Sequence, residues 1–188
     1  MPSDIVTRFK EKYEILAGHV HLCATVEEAA VRAAEICSES GAEHVVVGEF
    51  ADGLAEPIVS GLDSAGLDVA GPDFKASEVP AAIDRADVGV SGPAFVIAES
   101  GTLVEFATND VFRLVSTLPR VHVGVFREQD LIDTLKESGP RVKAYFDANS
   151  ENATVTFISG PSRTADIEMK LTLGVHGPEV THAVVIEA

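Results

Sequence analysis

The chain has 188 residues, enough for one domain with a real core, and 46% hydrophobic residues with a mean hydropathy of +0.18 exclude a disordered chain. Asp and Glu number 30 against 14 Lys and Arg, a net charge of −16. That balance argues against a nucleic-acid or anionic-membrane surface, since both need Lys and Arg to replace counterions; a soluble acidic surface and a salt-rich cytoplasm are the two readings it leaves.

The first segment, DIVTRFKEKYEIL, places Ile5, Phe9, Tyr13 and Leu16 on one helical stripe. HVHLC (19–23) reads as a short strand. TVEEAAVRAAEICSES opens with Thr25 and Glu28 at capping-box spacing. Val26, Ala29, Ala30, Ala33 and Cys37 line one face of the predicted helix, and Gly41 closes it. The continuous apolar run of EHVVVGEF (43–50) predicts a strand covered on both faces. EPIVSGLDSAG predicts a short helix, LDVAG a strand, and SEVPAAIDRA a helix with Ser77 as its cap.

DVGVSG is the next predicted strand, and AFVIAESGTLVEFA gives two more around a turn at Ser100-Gly101. NDVFRLVSTLP predicts a helix stopped by Pro119, VHVGVF a strand, and REQDLIDTLKES a helix. GPRVKAYFDAN predicts another helix, ATVTFISG a strand, and THAVVIEA a closing strand. Strands alternating with helices mean an α/β fold: a largely parallel sheet with helices on both faces, and an antiparallel ribbon around Ser100-Gly101 within it. Ligands in such sheets sit at the carboxyl ends of strands, near a switch in strand order.

The start, MPSDIVTRFK, lacks a basic region followed by an apolar one, and no apolar run approaches a membrane span, so the expected compartment is the cytoplasm. Cys23 and Cys37 are the only cysteines, and two thiols do not hold an iron–sulfur cluster by themselves. Two reduced, buried thiols are expected. The six histidines do not fall at metal-ligand spacing, although His19 and His21 share one face of a strand. No dinucleotide or Walker loop is present. The chain is therefore expected to bind no iron, zinc or flavin and to need no cofactor.

Two segments carry candidate chemistry. In SGPSRTADIEMKLTLGVHGP (159–178), Gly160 falls at a strand's carboxyl end. Thr164 can cap a short helix from Ala165 with Asp166 and Glu168 in its first turn; a strand from Lys170 is the rival assignment. A helix start beside Ser162 and Arg163 suits a phosphate or carboxylate, unless Arg163 and Asp166 form a clamp that only holds the loop. His176, between glycines in GVHGP, is either a hydrogen-bonded loop residue or a catalytic one. In the second segment (97–122), Glu99 precedes the Ser100-Gly101-Thr102 turn at a strand end. Its carboxylate can act as acid, base or nucleophile, or as an acceptor capping the turn. Arg113, on the following helix, can neutralise an anion or Glu99, or lie on the surface.

IAESGTLV, then Arg113, Ser116, Leu118, Pro119 and His122 in the pattern R..S.LP..H, then SGPSRTADIE and GVHGP resemble the lactate-utilisation protein C family, the LUD domain. Many relatives read Asp-Thr-Gly-Thr or Glu-Thr-Gly-Thr where this chain has Glu99-Ser100-Gly101-Thr102. The resemblance implies one LUD domain over residues 1–188. It implies a fold similar to that of coenzyme A transferases, ribose-5-phosphate isomerase and formyltetrahydrofolate cyclo-ligase. It further implies a cluster-free subunit that helps oxidise L-lactate to pyruvate alongside iron–sulfur oxidoreductase partners. A stand-alone enzyme, or a sensor, acting on a small anionic metabolite (carboxylate, phosphate ester or acyl thioester) is the alternative, so whether the chain is an enzyme stays open, as does assembly into a homo-oligomer. In coenzyme A transferases a Glu before a Gly-containing turn forms an acyl thioester, and Glu99 resembles it in residue type and place.

Overall fold

The computed structural model describes residues 2–50, 53–71, 79–164 and 172–187. In chain order the first half gives α1 (Asp4–Ile15), β1 (His19–Cys23), α2 (Val26–Glu39), β2 (His44–Val47), α3 (Ala55–Ser64), β3 (Asp68–Ala70), α4 (Val79–Arg85), β4 (Val88–Ser91), β5 (Phe95–Ile97) and β6 (Thr102–Ala107). The second half gives α5 (Asp110–Val115), β7 (Val121–Arg127), β8 (Leu131–Ile132), α6 (Ser138–Ala148), β9 (Thr154–Ile158), β10 (Arg163–Thr164), β11 (Thr172–Leu173) and β12 (Val180–Ile186).

Six strands form a wholly parallel sheet in the order β1-β12-β7-β4-β2-β3. The period of two along each strand sends Val45, Val47, Val88, Val90, Val123, Val125, Val184 and Ile186 to one face, where α2 and α3 cover them. The opposite face carries Val46, Ala183 and Val185 into cores shared with α1, α4, α5 and a second sheet. Helices therefore lie on both faces, as the alternation predicted.

Local chemistry sets the helix starts. Ser3 Oγ accepts from Val6 N–H, and Thr25 Oγ1 accepts from Glu28 N–H at 3.2 Å. Glu28 reaches back to Ala24 N–H at 2.7 Å, one residue before the expected partner. On α1 the buried positions are Val6, Phe9 and Tyr13, while Ile5 is only half-buried. Alanines 29, 30, 33 and 34 let α2 lie close to its neighbours; a Cβ on Gly61 of α3 would come within 3.0–3.2 Å of Ala30.

The ribbon around Ser100-Gly101 is antiparallel, β5 against β6. It belongs to its own four-stranded sheet, β8-β5-β6-β9, instead of extending the parallel one. β5 and β6 leave the parallel sheet between β4 and β7, and β8 and β9 between β7 and β12. The helix predicted over residues 127–138 is absent: two 3-10 turns, Glu128–Asp130 and Leu135–Glu137, flank β8 there. Pairing with β5 explains the difference, since Leu131 opposes Val96 and Ile132 opposes Ile97. The two residues enter different cores on opposite sides of the strand, which adjacent residues of a helix cannot do. Ser77, the predicted cap of α4, lies outside the described residues.

Candidate functional site

Five of the residues singled out in the sequence, Ser100, Gly101, Thr102, Gly160 and Arg163, gather at the carboxyl end of α1. Gly101 has φ +60°, and a Cβ there would meet Tyr13 N at 2.6 Å and the Lys12 carbonyl carbon at 2.8 Å. Gly160 has φ +81° and would set a Cβ 2.7 Å from Leu16 O. Both loops thus touch the helix end through glycine backbone. A hydroxyl chain ties them together: Ser100 Oγ to Thr102 Oγ1 at 2.7 Å, and Thr102 Oγ1 to Ser159 Oγ at 2.7 Å. Arg163 donates to Leu16 C=O, a carbonyl at the helix terminus where a cation is favoured. Gly101→Ala is expected to cost about 1–3 kcal/mol, from the left-handed backbone and the clash with α1. Urea denaturation checks this; an unchanged midpoint would mean that the turn does not press on the helix.

The other predicted residues are placed as follows. Glu99 is exposed, and its Oε2 accepts from Leu135 N–H at 2.8 Å, which caps the turn at Leu135–Glu137. Ser162 Oγ donates to His176 C=O at 2.8 Å, and Ser162 N–H to Pro178 C=O at 2.8 Å, holding GVHGP beside the loop. His176 itself is exposed. Thr164 pairs with Thr172 in the short β10–β11 ladder. Asp166, Glu168 and the predicted helix from Ala165 lie outside the described residues. Arg113 reaches Asn152, at 2.7 Å to its Oδ1. Its helix starts at the end of β6 remote from the Glu99 turn, a strand length of about 20 Å away.

A second constellation lies between the two sheets. Glu105, on β6, is nine-tenths buried and faces β4 and β7. Its Oε1 accepts from Ser91 Oγ at 2.5 Å and its Oε2 from Ser116 Oγ at 2.5 Å. Ser91 Oγ also lies 2.8 Å from His122 Nε2. Because the serine proton goes to the carboxylate, the imidazole donates Nε2–H to the serine oxygen. His122 is wholly buried, and its Nδ1 has no hydrogen-bond partner among the described residues. Burial pushes the Glu105 carboxyl up. The nearby His122 imidazole, with the Ser116 and Ser91 hydroxyls, outweighs that push and holds it below the usual carboxylate range.

The network sits at a switch in strand order. From β2 the chain leaves through α3 to the edge strand β3, whereas from β4 it leaves towards β7 on the other side. Ser91 ends β4, and Gly48 and Glu49 follow β2, so the network opens on the crevice between the two strand ends.

Residues 6–186 match the LUD domain. The chain belongs to the LUD domain family. Relatives include the lactate utilization protein C of Shouchella clausii, 38% identical over 82 residues, which are 44% of this chain and 36% of that one. The Bacillus subtilis protein of the same name is 36% identical over 84 residues, 44% of this chain and 35% of that one. The matched region thus spans little more than a third of these relatives' length. Among solved structures, a DUF162 family protein from Deinococcus radiodurans superposes with a TM-score of 0.69 at 24% identity, covering 97% of this chain and 96% of that one, which shows a shared fold.

In this LUD domain, Ser116 and His122 belong to the R..S.LP..H block that carried the resemblance, but their meeting with Glu105 was not foreseen. The available signal was a carboxylate at an alternating position of TLVEFA, in step with the inward-facing Leu103. Cys23 and Cys37 are buried and unpaired, and burial pushes the Cys37 thiol up to about 12. Among the described residues, no group of three His, Cys, Asp or Glu side chains is placed to hold a metal ion, and no helix is long and apolar enough to cross a membrane.

Proposed function

We propose that this LUD domain, a single domain over residues 1–188, serves lactate utilisation as a cluster-free cytoplasmic subunit. In this reading it helps oxidise L-lactate to pyruvate beside iron–sulfur oxidoreductase partners. Its own task is to hold a small carboxylate where the Glu99–Thr102 turn meets the Gly160–Thr164 loop. The observation that carries the reading is the family match over residues 6–186, joined to relatives named lactate utilization protein C. The geometry adds support: the Ser100–Thr102–Ser159 hydroxyls, the Gly160 backbone and Arg163 converge on one end of α1. Arg163 gives one N–H to Leu16, and a guanidinium has five. A stand-alone enzyme is the second reading, favoured by the buried Glu105–Ser91–His122 network.

The test is calorimetric titration of the wild type and Arg163→Lys with L-lactate, pyruvate, sulfate and phosphate. L-lactate or pyruvate is expected to bind, and the variant to lose about 1.5–3 kcal/mol, because a point charge does not replace a planar fork. Equal affinities would leave Arg163 as a clamp on α1. Binding of neither carboxylate would overturn the metabolite reading.

A further inference from the structure

The crevice at the ends of β2 and β4 has the features of a binding site distinct from the loop at α1. It is lined by Gly48, Glu49, Ser91, Gly92, Glu105 and Phe112, and its cavity of about 20 Å³ has room for one water-sized group. Gly48 N–H goes to Val90 C=O and Gly92 N–H to Glu49 C=O, each at 2.8 Å, so these two backbone donors are already used. What the walls offer instead is acceptors. A carboxylate has about four lone-pair sites. Ser91 and Ser116 donate to two of those of Glu105, with His122 Nε2 standing off at 3.5 Å. Glu49, at the rim, is a second carboxylate, which partial burial pushes up.

Among the described residues no Lys or Arg lines this cavity, and its two carboxylates, Glu105 and Glu49, disfavour an anionic group there. A group that donates hydrogen bonds is favoured, the more so if it is positive.

Gly48 shows that this space is not a packing necessity. A Cβ there would lie 3.4 Å from Ser91 Cβ, 3.5 Å from Val115 Cγ1 and 3.7 Å from Phe112 Cδ1, all ordinary contacts. Alanine would therefore fit, and it would fill the gap between Ser91 and Phe112. Gly92 differs, because a Cβ there would meet Phe50 Cα at 2.9 Å.

We propose that this crevice binds the hydrogen-bond-donating head of a small metabolite, a hydroxyl or a primary ammonium, with Glu105 as the buried acceptor and Glu49 as the acceptor at the rim. The site is independent of the carboxylate loop at α1.

The experiment is an amide NMR titration of the full chain, at physiological salt, with ethylammonium, ethylene glycol and acetate as separate probes. Saturable shifts at Gly48, Glu49 and Gly92 are expected with ethylammonium if the head is ammonium, or with ethylene glycol if it is hydroxyl, and none with acetate. Gly48→Ala should weaken the effective probe by about tenfold or more while its thermal unfolding stays close to wild type. Glu49→Gln should weaken ethylammonium more than ethylene glycol. Absence of saturation with both donors, equal saturation by acetate, or unchanged binding in a folded Gly48→Ala chain would each overturn the proposal.

Discussion

Glu105→Ala is expected to lower folding stability by about 3–5 kcal/mol, the cost of breaking a buried charged network by removing one partner. Three groups lose their anchor at once. Ser91 and Ser116 each donate to this carboxylate at 2.5 Å, and His122 is held to it through Ser91. All three are buried, and a single water entering the adjoining cavity does not replace a charged acceptor that takes two hydroxyl bonds. A small protein has about 5–15 kcal/mol in total, so the variant would keep only part of its folded margin. Glu105→Gln retains the shape and one acceptor oxygen but loses the charge, and about 1.5–3 kcal/mol is expected. Urea denaturation of the three chains near neutral pH measures both values. A loss under about 1 kcal/mol for Glu105→Ala would show that the carboxylate does not hold the network. The sign with pH is fixed as well. The folded carboxyl lies below its ordinary value of 4.5, so its stabilisation is present above that value and fades as pH falls through the lower folded one.

Glu105 also marks where the sequence stopped being legible. TLVEFA alternates, and alternation alone places Glu105 either on a solvated face or facing a second layer. The choice depends on the second sheet stacking over β4 and β7, which is a long-range fact. The β–α alternation was readable because each unit carries its own periodicity and caps, as Thr25 and Glu28 do for α2. The turn at Ser100-Gly101 was readable because its glycine adopts a positive φ. Residues 127–138 misled for the opposite reason. Their charged and apolar spacing suits a helix, but Asp130 Oδ2 accepts from Arg127 N–H at 2.9 Å and Glu137 Oε1 from Thr134 N–H at 2.9 Å. Two tight turns then set Leu131 and Ile132 against β5, and tertiary pairing overrides local propensity. At the candidate site, glycines and hydroxyls were visible as motif residues, whereas their meeting point on α1 depended on the tertiary packing of α1 against the second sheet.

Acidification from pH 6.5 to 4.5 is expected to destabilise the protein through the histidines on β1 and β12. His21 Nε2 and His182 Nδ1 are 3.0 Å apart, and the His21 and His182 rings stack with centroids 5.3 Å apart. Arg32 Nε donates to His21 Nδ1 at 3.2 Å. That bond fixes the tautomer: His21 accepts at Nδ1, so its Nε2–H donates to His182 Nδ1. Protonating His21 would set N–H against the Arg32 N–H, and protonating His182 at Nδ1 would remove the acceptor for His21. Burial, then the charge of Arg32, lowers His21 to about 4; burial, then His21, lowers His182 to about 3. Both folded values lie below the ordinary 6.5, so the unfolded chain takes up protons first. The stability is present above 6.5 and is lost as pH falls towards the folded values. Two pH units would amount to about 2.7 kcal/mol for one fully buried imidazole. Both rings are partly exposed, so screening brings the pair to about 2–3 kcal/mol in total. Urea denaturation at several pH values between 7.5 and 4.5 reads the slope, with His182→Phe beside the wild type. The variant should keep a ring on the same face, lose one titration and show about half the slope. A wild-type stability that is flat across this interval, or an equal slope in His182→Phe, would mean that the imidazole pair does not take up protons on unfolding.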